Sequence, residues 1–239
     1  MKKVALITGG AGMIGTAIVE AFALNGYDIV FTYNNNEEKA RLLAKELEVS
    51  GSKVFPKKVD LKDNKAIKDL FSFIEKQFGK LDVIVNNAAY FTTERKAFLD
   101  ISWEEIDEYL NTNVSAVIKI CQLGTELLKK SGKGNIVNLS SEAGKFGGFK
   151  MSVYATTKGA LNTLVISLAR ELADFNIRIN NVSPAVIAND HNPPPSDVIK
   201  TIPLKRAGTP EEVAKLVYWL TTDDASYITG STISITGGR

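Results

Sequence analysis

The stretch of sequence that decides the fold is VALITGGAGMIG, residues 4–15. A short apolar run comes first, a glycine-rich turn follows it, and an apolar-periodic helical pattern begins at Ile14. Gly10, Gly12 and Gly15 give the turn the spacing G-x-G-x-x-G between a predicted strand and a predicted helix. We therefore expect this stretch to be the first strand–turn–helix unit of a parallel sheet.

The rest of the chain alternates in the same way between short β-branched runs and longer helical patterns. Strands are predicted at residues 4–7, 29–33, 53–59, 81–85, 135–139, 177–182 and 232–235. Helices are predicted at residues 14–25, 37–49, 64–78, 103–130, 152–175 and 210–221. Several strands are apolar on both faces, which is typical of buried parallel strands. We predict an α/β fold for residues 1–239, a single-domain doubly wound (Rossmann) parallel seven-stranded sheet with helices on both faces.

Composition excludes several classes of function. The 239 residues are 44% hydrophobic and 23% charged, with a net charge of +2 and no clustered basic stripe, so no nucleic-acid partner is expected. A single cysteine, Cys121, excludes an intrachain disulfide and a cysteine-based zinc site, and no metal site is predicted. The N-terminal apolar run is too short for a signal peptide, and no segment reaches the roughly 20 apolar residues of a membrane span. We expect a cytoplasmic protein with no membrane partner.

The glycine turn predicts a nucleotide site. Glycines let the backbone approach a pyrophosphate, which then lies at the positive N-terminal end of the following helix. The second predicted strand ends in Tyr33 and Asn34, with Asn35 and Asn36 next and no acidic residue before Glu37. A carboxylate at that point accepts hydrogen bonds from the adenosine ribose of NAD, so its absence favours NADP(H) over NAD(H).

A second group of residues predicts proton transfer. Tyr154 and Lys158 lie one helical turn apart in the predicted helix 152–175, and Ser141 lies 13 residues before Tyr154. A phenol has an ordinary pKa of about 10, and a positive charge on the same helix face is expected to lower that pKa. Tyr154 is therefore a candidate proton donor, and Ser141 is a candidate hydroxyl for holding a carbonyl oxygen.

Taken in order, these motifs resemble those of the short-chain dehydrogenase/reductase family over essentially the full length of the chain. The spacing also matches, including the 28 residues from Asn113 to Ser141. The resemblance implies reduction of a carbonyl by hydride transfer, with Tyr154 as the acid and Lys158 lowering its pKa and binding the nicotinamide ribose. Ser141 is then expected to position the substrate oxygen, and Asn113 to hold a water that resupplies the proton.

The resemblance also implies a set of residues that contact the cofactor along the ends of the strands. They are Gly9, Gly12, Met13, Ile14, Tyr33, Asn34, Asp60, Leu61, Asn86, Asn87, Ala88, Tyr154, Lys158, Pro184 and Ile187. Four residues depart from the family pattern. Met13, Ala89 and Ala185 each stand where glycine is usual, and Asn189 stands where a threonine usually contacts the carboxamide. We expect these departures to adjust cofactor binding and not to abolish it.

The substrate is expected to lie under a short lid, residues 189–203. Three consecutive prolines, 193–195, prevent a helix from passing through that segment, which also contains His191. Five apolar or aromatic side chains are expected to line the pocket: Tyr90, Phe91, Phe146, Phe149 and Met151.

Three functions remain open at this point. The C-terminal residues 202–238 resemble 3-oxoacyl-carrier-protein reductases, which favours an NADPH-dependent reductase of 3-oxoacyl thioesters or related ketones, carried on a small molecule or an acyl carrier. The aromatic segment after Asn86 suggests a pteridine or dihydromonapterin-type reductase instead. A non-catalytic nucleotide-sensing regulator is the third reading.

The apolar surface of helices 103–130 and 152–175 resembles the four-helix contact of the family and predicts a homotetramer, or a dimer.

Overall fold

The computed structural model describes residues 2–189 and 193–239. Within this part of the chain, seven parallel strands form one sheet in the order β3-β2-β1-β4-β5-β6-β7. The strands are β1 Val4–Ile7, β2 Asp28–Tyr33, β3 Val54–Lys58, β4 Val83–Asn86, β5 Gly134–Leu139, β6 Ile177–Pro184 and β7 Thr232–Ile235. The strand order reverses between β1 and β4, which places a ligand crevice above the carboxyl ends of these two strands.

Helices cover both faces of the sheet, as the apolar strands predict. They are α1 Met13–Leu24, α2 Glu37–Leu47, α3 Asn64–Phe78, α4 Trp103–Leu110, α5 Ala116–Lys129, α6 Ala143–Phe146, α7 Ser152–Leu172, α8 Ser196–Lys200 and α9 Pro210–Leu220. Side chains alternate between the faces of a strand, so β1 sends Ala5 and Ile7 into one apolar cluster and Val4 and Leu6 into the other. The predicted doubly wound α/β sheet is confirmed.

The predicted helix 103–130 contains a local change of geometry. Between α4 and α5, residues Asn111–Ser115 form a π-helical turn, in which the Ala116 N–H donates to the Asn111 carbonyl five residues back. Periodicity does not show such a turn, because one extra residue shifts the apolar pattern only slightly. The turn matters for the site because it contains Asn113.

Two further differences from the predictions concern the end of one strand and two short helices. Strand β6 continues two residues beyond its predicted end, because Pro184 still pairs with Ile235 of β7. The short helices α6 and α8 were not predicted, since four or five residues carry no periodic signal.

The segment proposed as a lid is described only in part. His191 lies outside the described residues, whereas Pro193–Pro195 are without helix, as predicted, and α8 starts directly after them. None of the helices in the described ranges combines the length and the apolar character needed to cross a bilayer.

Candidate active site

The glycine turn after β1 is shaped by close packing of backbone against backbone. Gly9 has a φ of +66°, and a Cβ on it would come within 2.9 Å of the Ala88 Cα. A Cβ on Gly15 would lie only 2.1 Å from the Gly9 carbonyl oxygen. Each of these glycines is therefore required by the turn itself, whatever the turn binds.

Gly12 differs from its neighbours because it faces open space. A Cβ there would meet only the Gly9 carbonyl oxygen, at 3.2 Å. Gly12 is also the N-cap of α1, and among the described residues no side chain caps this helix and no acid lies in its first turn. The first backbone N–H groups of α1 are thus directed to the cleft without a protein anion, an arrangement that fits a phosphate group.

A cleft of about 610 Å³ opens beside this turn. Ten of the residues predicted to contact the cofactor line it: Gly9, Gly12, Met13, Ile14, Tyr33, Asn34, Asp60, Leu61, Asn87 and Ala88. The volume is within the usual range for small-molecule sites, and the elongated set of strand ends fits a dinucleotide.

The other predicted cofactor residues do not line this cleft. Asn86 points into the sheet, where its Nδ2 donates to Asn138 Oδ1 at 2.9 Å. Pro184 is buried at the end of β6, and Ile187 forms an isolated bridge with Gly208. Lys158 is buried as well, beyond the cleft wall.

Sequence reasoning missed one ionic contact at the end of the cleft formed by Asp60. Lys62 Nζ pairs with Glu108 Oε1 at 2.6 Å and lies 4.0 Å from Asp60 Oδ2. Lys62 and Glu108 both line the cleft. They are 46 residues apart in the chain, so no local pattern could have joined them.

Asn87 fastens the glycine turn to β4. Its Nδ2 donates to the Thr8 carbonyl at 2.9 Å and to the Gly9 carbonyl at 3.0 Å. The backbone N–H groups of Asn87 and Ala88 both donate to Thr8 Oγ1 at 3.0 Å. The cleft floor is therefore a hydrogen-bonded unit in which β1 and β4 fix each other.

Below the Tyr154 side of the site, buried amides connect neighbouring strands. Asn86, Asn138 and Asn181 occupy facing positions on β4, β5 and β6. Besides its bond to Asn86, Asn138 donates from Nδ2 to Asn181 Oδ1 at 3.0 Å. Asn181 and Ser140 then both donate to Asn162 Oδ1, at 3.3 and 2.8 Å. This amide ladder joins three strands to α7.

Tyr154 and Lys158 lie one turn apart on α7, as the spacing predicts. Lys158 is 3% exposed, and its Nζ donates to the Leu139 carbonyl at 2.6 Å. Burial lowers the pKa of Lys158 to about 8. The Nζ atom lies 5.7 Å from the centre of the Tyr154 ring.

The pKa of Tyr154 is shifted in the direction opposite to the prediction. Burial raises this pKa, a hydrogen bond with the Ser141 side chain lowers it, and the nearby Tyr109 raises it again. The ammonium of Lys158 does not offset the burial, because it is directed to the Leu139 carbonyl. The expectation that Lys158 lowers the pKa of Tyr154 is therefore wrong for this arrangement, although the Ser141 hydroxyl does lie beside the phenol.

Asn113 uses its side chain to hold the loop after β4. Its Oδ1 accepts from the Tyr90 N–H at 2.7 Å, and its Nδ2 donates to the Tyr90 carbonyl at 3.0 Å. The same Nδ2 lies 3.2 Å from Thr157 Oγ1, next to Lys158 in the chain. Asn113 thus joins that loop to α7, a contact that the predicted water-holding role does not require.

Aromatic rings surround Tyr154. Phe91 lies with its ring centre 4.9 Å from that of Tyr154, and Tyr109 lies at 6.3 Å. Tyr90 in turn packs on Tyr109 at 4.8 Å. Tyr109, which is buried, was not predicted, since its position in a helix pattern is typical of any core residue.

The five side chains expected to line the pocket separate into three groups. Tyr90 and Phe91 line the cleft. Met151 lines a second, small cavity together with Tyr154. Phe146 and Phe149 are 71% and 81% exposed and lie beside Lys145 and Lys150.

Comparison with known proteins places this geometry among enzymes. Residues 9–239 match a family model described as Enoyl-(Acyl carrier protein) reductase. The 3-oxoacyl-[acyl-carrier-protein] reductase FabG of Staphylococcus aureus (strain Mu50 / ATCC 700699) is 35% identical over 100% of this chain and 98% of its own length. A 3alpha-hydroxysteroid dehydrogenase of Mediterraneibacter gnavus is 35% identical over 99% of this chain and 96% of its own. Among solved structures, a short chain dehydrogenase from Burkholderia cenocepacia J2315 in complex with NADP has a TM-score of 0.92 at 32% identity, covering 99% of this chain and 97% of its own.

Proposed function

The chain belongs to the short-chain dehydrogenase/reductase family, whose members are oxidoreductases that interconvert CH-OH and C=O groups with a nicotinamide cofactor. Starting from this membership, we propose that the protein is an NADP(H)-dependent reductase of a 3-oxoacyl thioester or a related ketone. The observation that carries the proposal is a cleft whose helix N-terminus lacks a protein anion and whose wall residue Phe91 packs on Tyr154, next to the Ser141 hydroxyl.

The residues of this chain fit a dinucleotide, and a different group of residues would hold each part of it. The N-terminus of α1 with Gly12 would hold the pyrophosphate, and Asp60 and Leu61 would contact the adenine. Tyr154 and Lys158 would contact the nicotinamide side, with Pro184 and Ile187 reaching it from β6 and the loop beyond. When bound, the reduced cofactor supplies the hydride for the carbonyl carbon.

Tyr154 is the proposed proton donor. The carbonyl oxygen takes the proton of Tyr154 Oη while the Ser141 hydroxyl holds that oxygen by a hydrogen bond. A phenol with an ordinary pKa of about 10 is protonated at neutral pH and can donate its proton, whereas the burial that raises the pKa of Tyr154 opposes formation of the phenolate. The phenolate left behind would regain its proton from solvent through the Asn113 and Lys158 side of the site.

The preference for NADP(H) rests on the end of β2. Asn34, Asn35 and Asn36 are exposed along the cleft, and the first acid, Glu37, is paired with Arg41 at 2.6 Å. Asparagine amides can donate to a 2′-phosphate without repelling it. Dissociation constants for NADPH and NADH, measured by cofactor fluorescence, test this directly. Tighter binding of NADH would contradict the proposed preference.

A substrate panel tests the reaction. Oxidation of NADPH would be followed with acetoacetyl thioester, a quinonoid dihydropterin and several small ketones. We expect the thioester or a ketone to be reduced. The pteridine-type alternative gains support from the ring of Phe91 against Tyr154, and turnover of the dihydropterin alone would favour it. Tight NADPH binding with no turnover of any compound would favour a nucleotide-sensing regulator.

The assembly and the location are further parts of this proposal. We propose one catalytic domain over residues 1–239 with a lid at 189–203, working in the cytoplasm as a homotetramer, with a dimer as the alternative. The exposed apolar residues Trp103, Leu110 and Ile118 along α4 and α5 and Ile166 on α7 support burial between subunits. Light scattering coupled to gel filtration would give a mass near four chains, and a monomer would contradict this assembly.

A further inference from the structure

Phe91 occupies the boundary between the cleft and the phenol of Tyr154. Its side chain lines the cleft, and its ring makes an edge-on contact with the Tyr154 ring at 4.9 Å and 62°. The ring is nevertheless 48% exposed. A substrate carbonyl that reaches Tyr154 Oη from the cleft therefore brings its neighbouring groups past or against this ring.

The backbone on both sides of Phe91 is held firmly. On one side, Asn113 bonds both the N–H and the carbonyl of Tyr90, at 2.7 and 3.0 Å. On the other side, Thr92 lies with Tyr109 and Tyr154 around a small cavity. Farther along the loop, Lys96 pairs with Glu105 of α4 at 2.7 Å.

These contacts hold the backbone at Phe91 in place but do not hold its ring. Because Asn113 fixes the peptide groups before Phe91 and Lys96 ties the following loop to α4, the Cα–Cβ bond of Phe91 keeps its direction towards Tyr154. The ring itself has no hydrogen-bonding atom, and the aromatic contact with Tyr154 is worth only about a few-fold in an equilibrium. Rotation about the side-chain bonds can therefore present either the edge or the face of the ring to a substrate.

We propose that Phe91 is a specificity-determining residue that selects carbonyl substrates bearing a planar aromatic ring next to the C=O group. The inference rests on the proposed carbonyl reduction and names a substrate class for the same site. A flat ring can stack on the face of Phe91 while its carbonyl oxygen lies between Ser141 and Tyr154. A puckered aliphatic ring of similar size makes fewer contacts with a flat face.

The test compares two ketones that differ in the planarity of one ring, acetophenone and 1-cyclohexylethanone. We expect the wild-type kcat/KM ratio of aryl to cyclohexyl ketone to fall by about 2- to 12-fold in Phe91→Leu, which keeps apolar volume and removes the ring. Phe91→Tyr keeps the ring and should keep the ratio. Phe98→Leu makes the same exchange at an exposed position of the same loop and should also leave the ratio unchanged.

A binding measurement keeps this inference separate from the proposed reaction. Calorimetry with NADPH present would compare 1-phenylethanol with 1-cyclohexylethanol on the wild type and on Phe91→Leu. Tighter phenylethanol binding that is lost in Phe91→Leu supports the role of Phe91 even if no ketone is reduced. Reduction of both ketones with the same ratio in both proteins overturns that role and leaves the proposed reaction standing. No preference in binding and no turnover of either ketone would overturn the role of Phe91, whereas the proposed reaction would fall only if the thioester and the other ketones of the substrate panel were not reduced either.

Discussion

The glycine turn and the Tyr154 helix meet at one site, but different kinds of contact hold them. Around the turn, Gly9 and Gly15 pack backbone on backbone, and the cleft in front of Gly12 is open. Around the helix, Lys158 is buried as a side chain, and Tyr154 lies under aromatic rings. The nucleotide half is thus shaped by the main chain, and the catalytic half by buried functional groups.

The difference determines how each half responds to change. A main-chain cradle is sensitive to added volume and indifferent to pH, because its groups do not titrate. A buried functional group is sensitive to pH and to the loss of one atom, because its environment sets its pKa. Substitutions in the glycine turn should therefore not change the pH dependence that the buried groups produce, and substitutions of those groups should not change how the turn binds the cofactor. Four predictions test that separation.

The largest expected effect is on the catalytic half. Tyr154→Phe removes the proton that the carbonyl oxygen takes, and kcat should fall by about 10²- to 10⁴-fold. NADPH affinity should stay close to wild type, because the ring still packs on Phe91. Steady-state kinetics and cofactor titration check both points. Tyr218→Phe, the same exchange in a ring packed on Phe22, serves as the control, and retained turnover in Tyr154→Phe would refute the assigned acid.

The next effect is a pH-dependent stability. Burial lowers the pKa of Lys158 to about 8 from an ordinary 10.5, so between these two values the unfolded chain binds more protons than the folded one. Stability must therefore rise with pH across this window. Relative to Lys158→Met, the wild type should gain about 3 kcal/mol in unfolding free energy from pH 8 to 10.5.

Urea unfolding of both proteins at several pH values measures this difference. Subtracting the two curves removes every titration that they share, as well as the constant effect of losing the bond to the Leu139 carbonyl. A flat difference curve would show that Lys158 is not held in a dry environment.

The third expected effect is on the nucleotide half. Gly15→Ala places a methyl group 2.1 Å from the Gly9 carbonyl oxygen and should lower the unfolding free energy by about 1–3 kcal/mol. Gly12→Ala meets only that oxygen, at 3.2 Å, and replaces a favoured N-cap residue, so the unfolding free energy should fall by only about 1 kcal/mol while NADPH binding weakens. Scanning calorimetry measures Tm and cofactor titration measures NADPH affinity, so together they distinguish the two variants. Equal losses of Tm would mean that Gly12 also belongs to the packed turn and does not face a free cleft.

The same division explains what could be predicted from the sequence. The sheet, its helices and the cleft residues follow from local patterns, because a glycine turn between a strand and a helix needs only neighbouring residues. Ten of the expected cofactor residues do line the cleft. Their contacts with a cofactor, and the roles of Tyr154 and Lys158 in catalysis, remain predictions.

What escaped prediction depends on residues far apart in the chain. The amide ladder needs the registers of β4, β5 and β6, and the contact of Lys62 with Glu108 joins positions 46 residues apart. The direction of the Tyr154 pKa shift depends on how deeply the phenol is buried, which spacing on one helix does not reveal. Tyr109 shows the same limit, since its ring contacts with Tyr90 and Tyr154 exist only once the loop and α7 are folded together.

The smallest expected effect concerns one charge at the end of β2. Asn34 is exposed on the cleft, so Asn34→Asp would place a carboxylate where a 2′-phosphate is proposed to lie. Repulsion between charges about 4 Å apart in water is about 1 kcal/mol for each unit charge, which predicts an approximately tenfold loss of NADPH affinity. NADH affinity should not fall, and added salt should reduce the loss because exposed charges are screened. Gln122→Glu adds the same charge on α5 and should change neither affinity. An equal loss for both cofactors would mean that Asn34 contacts the part of the dinucleotide that they share, and the proposed NADP(H) preference would then need another source.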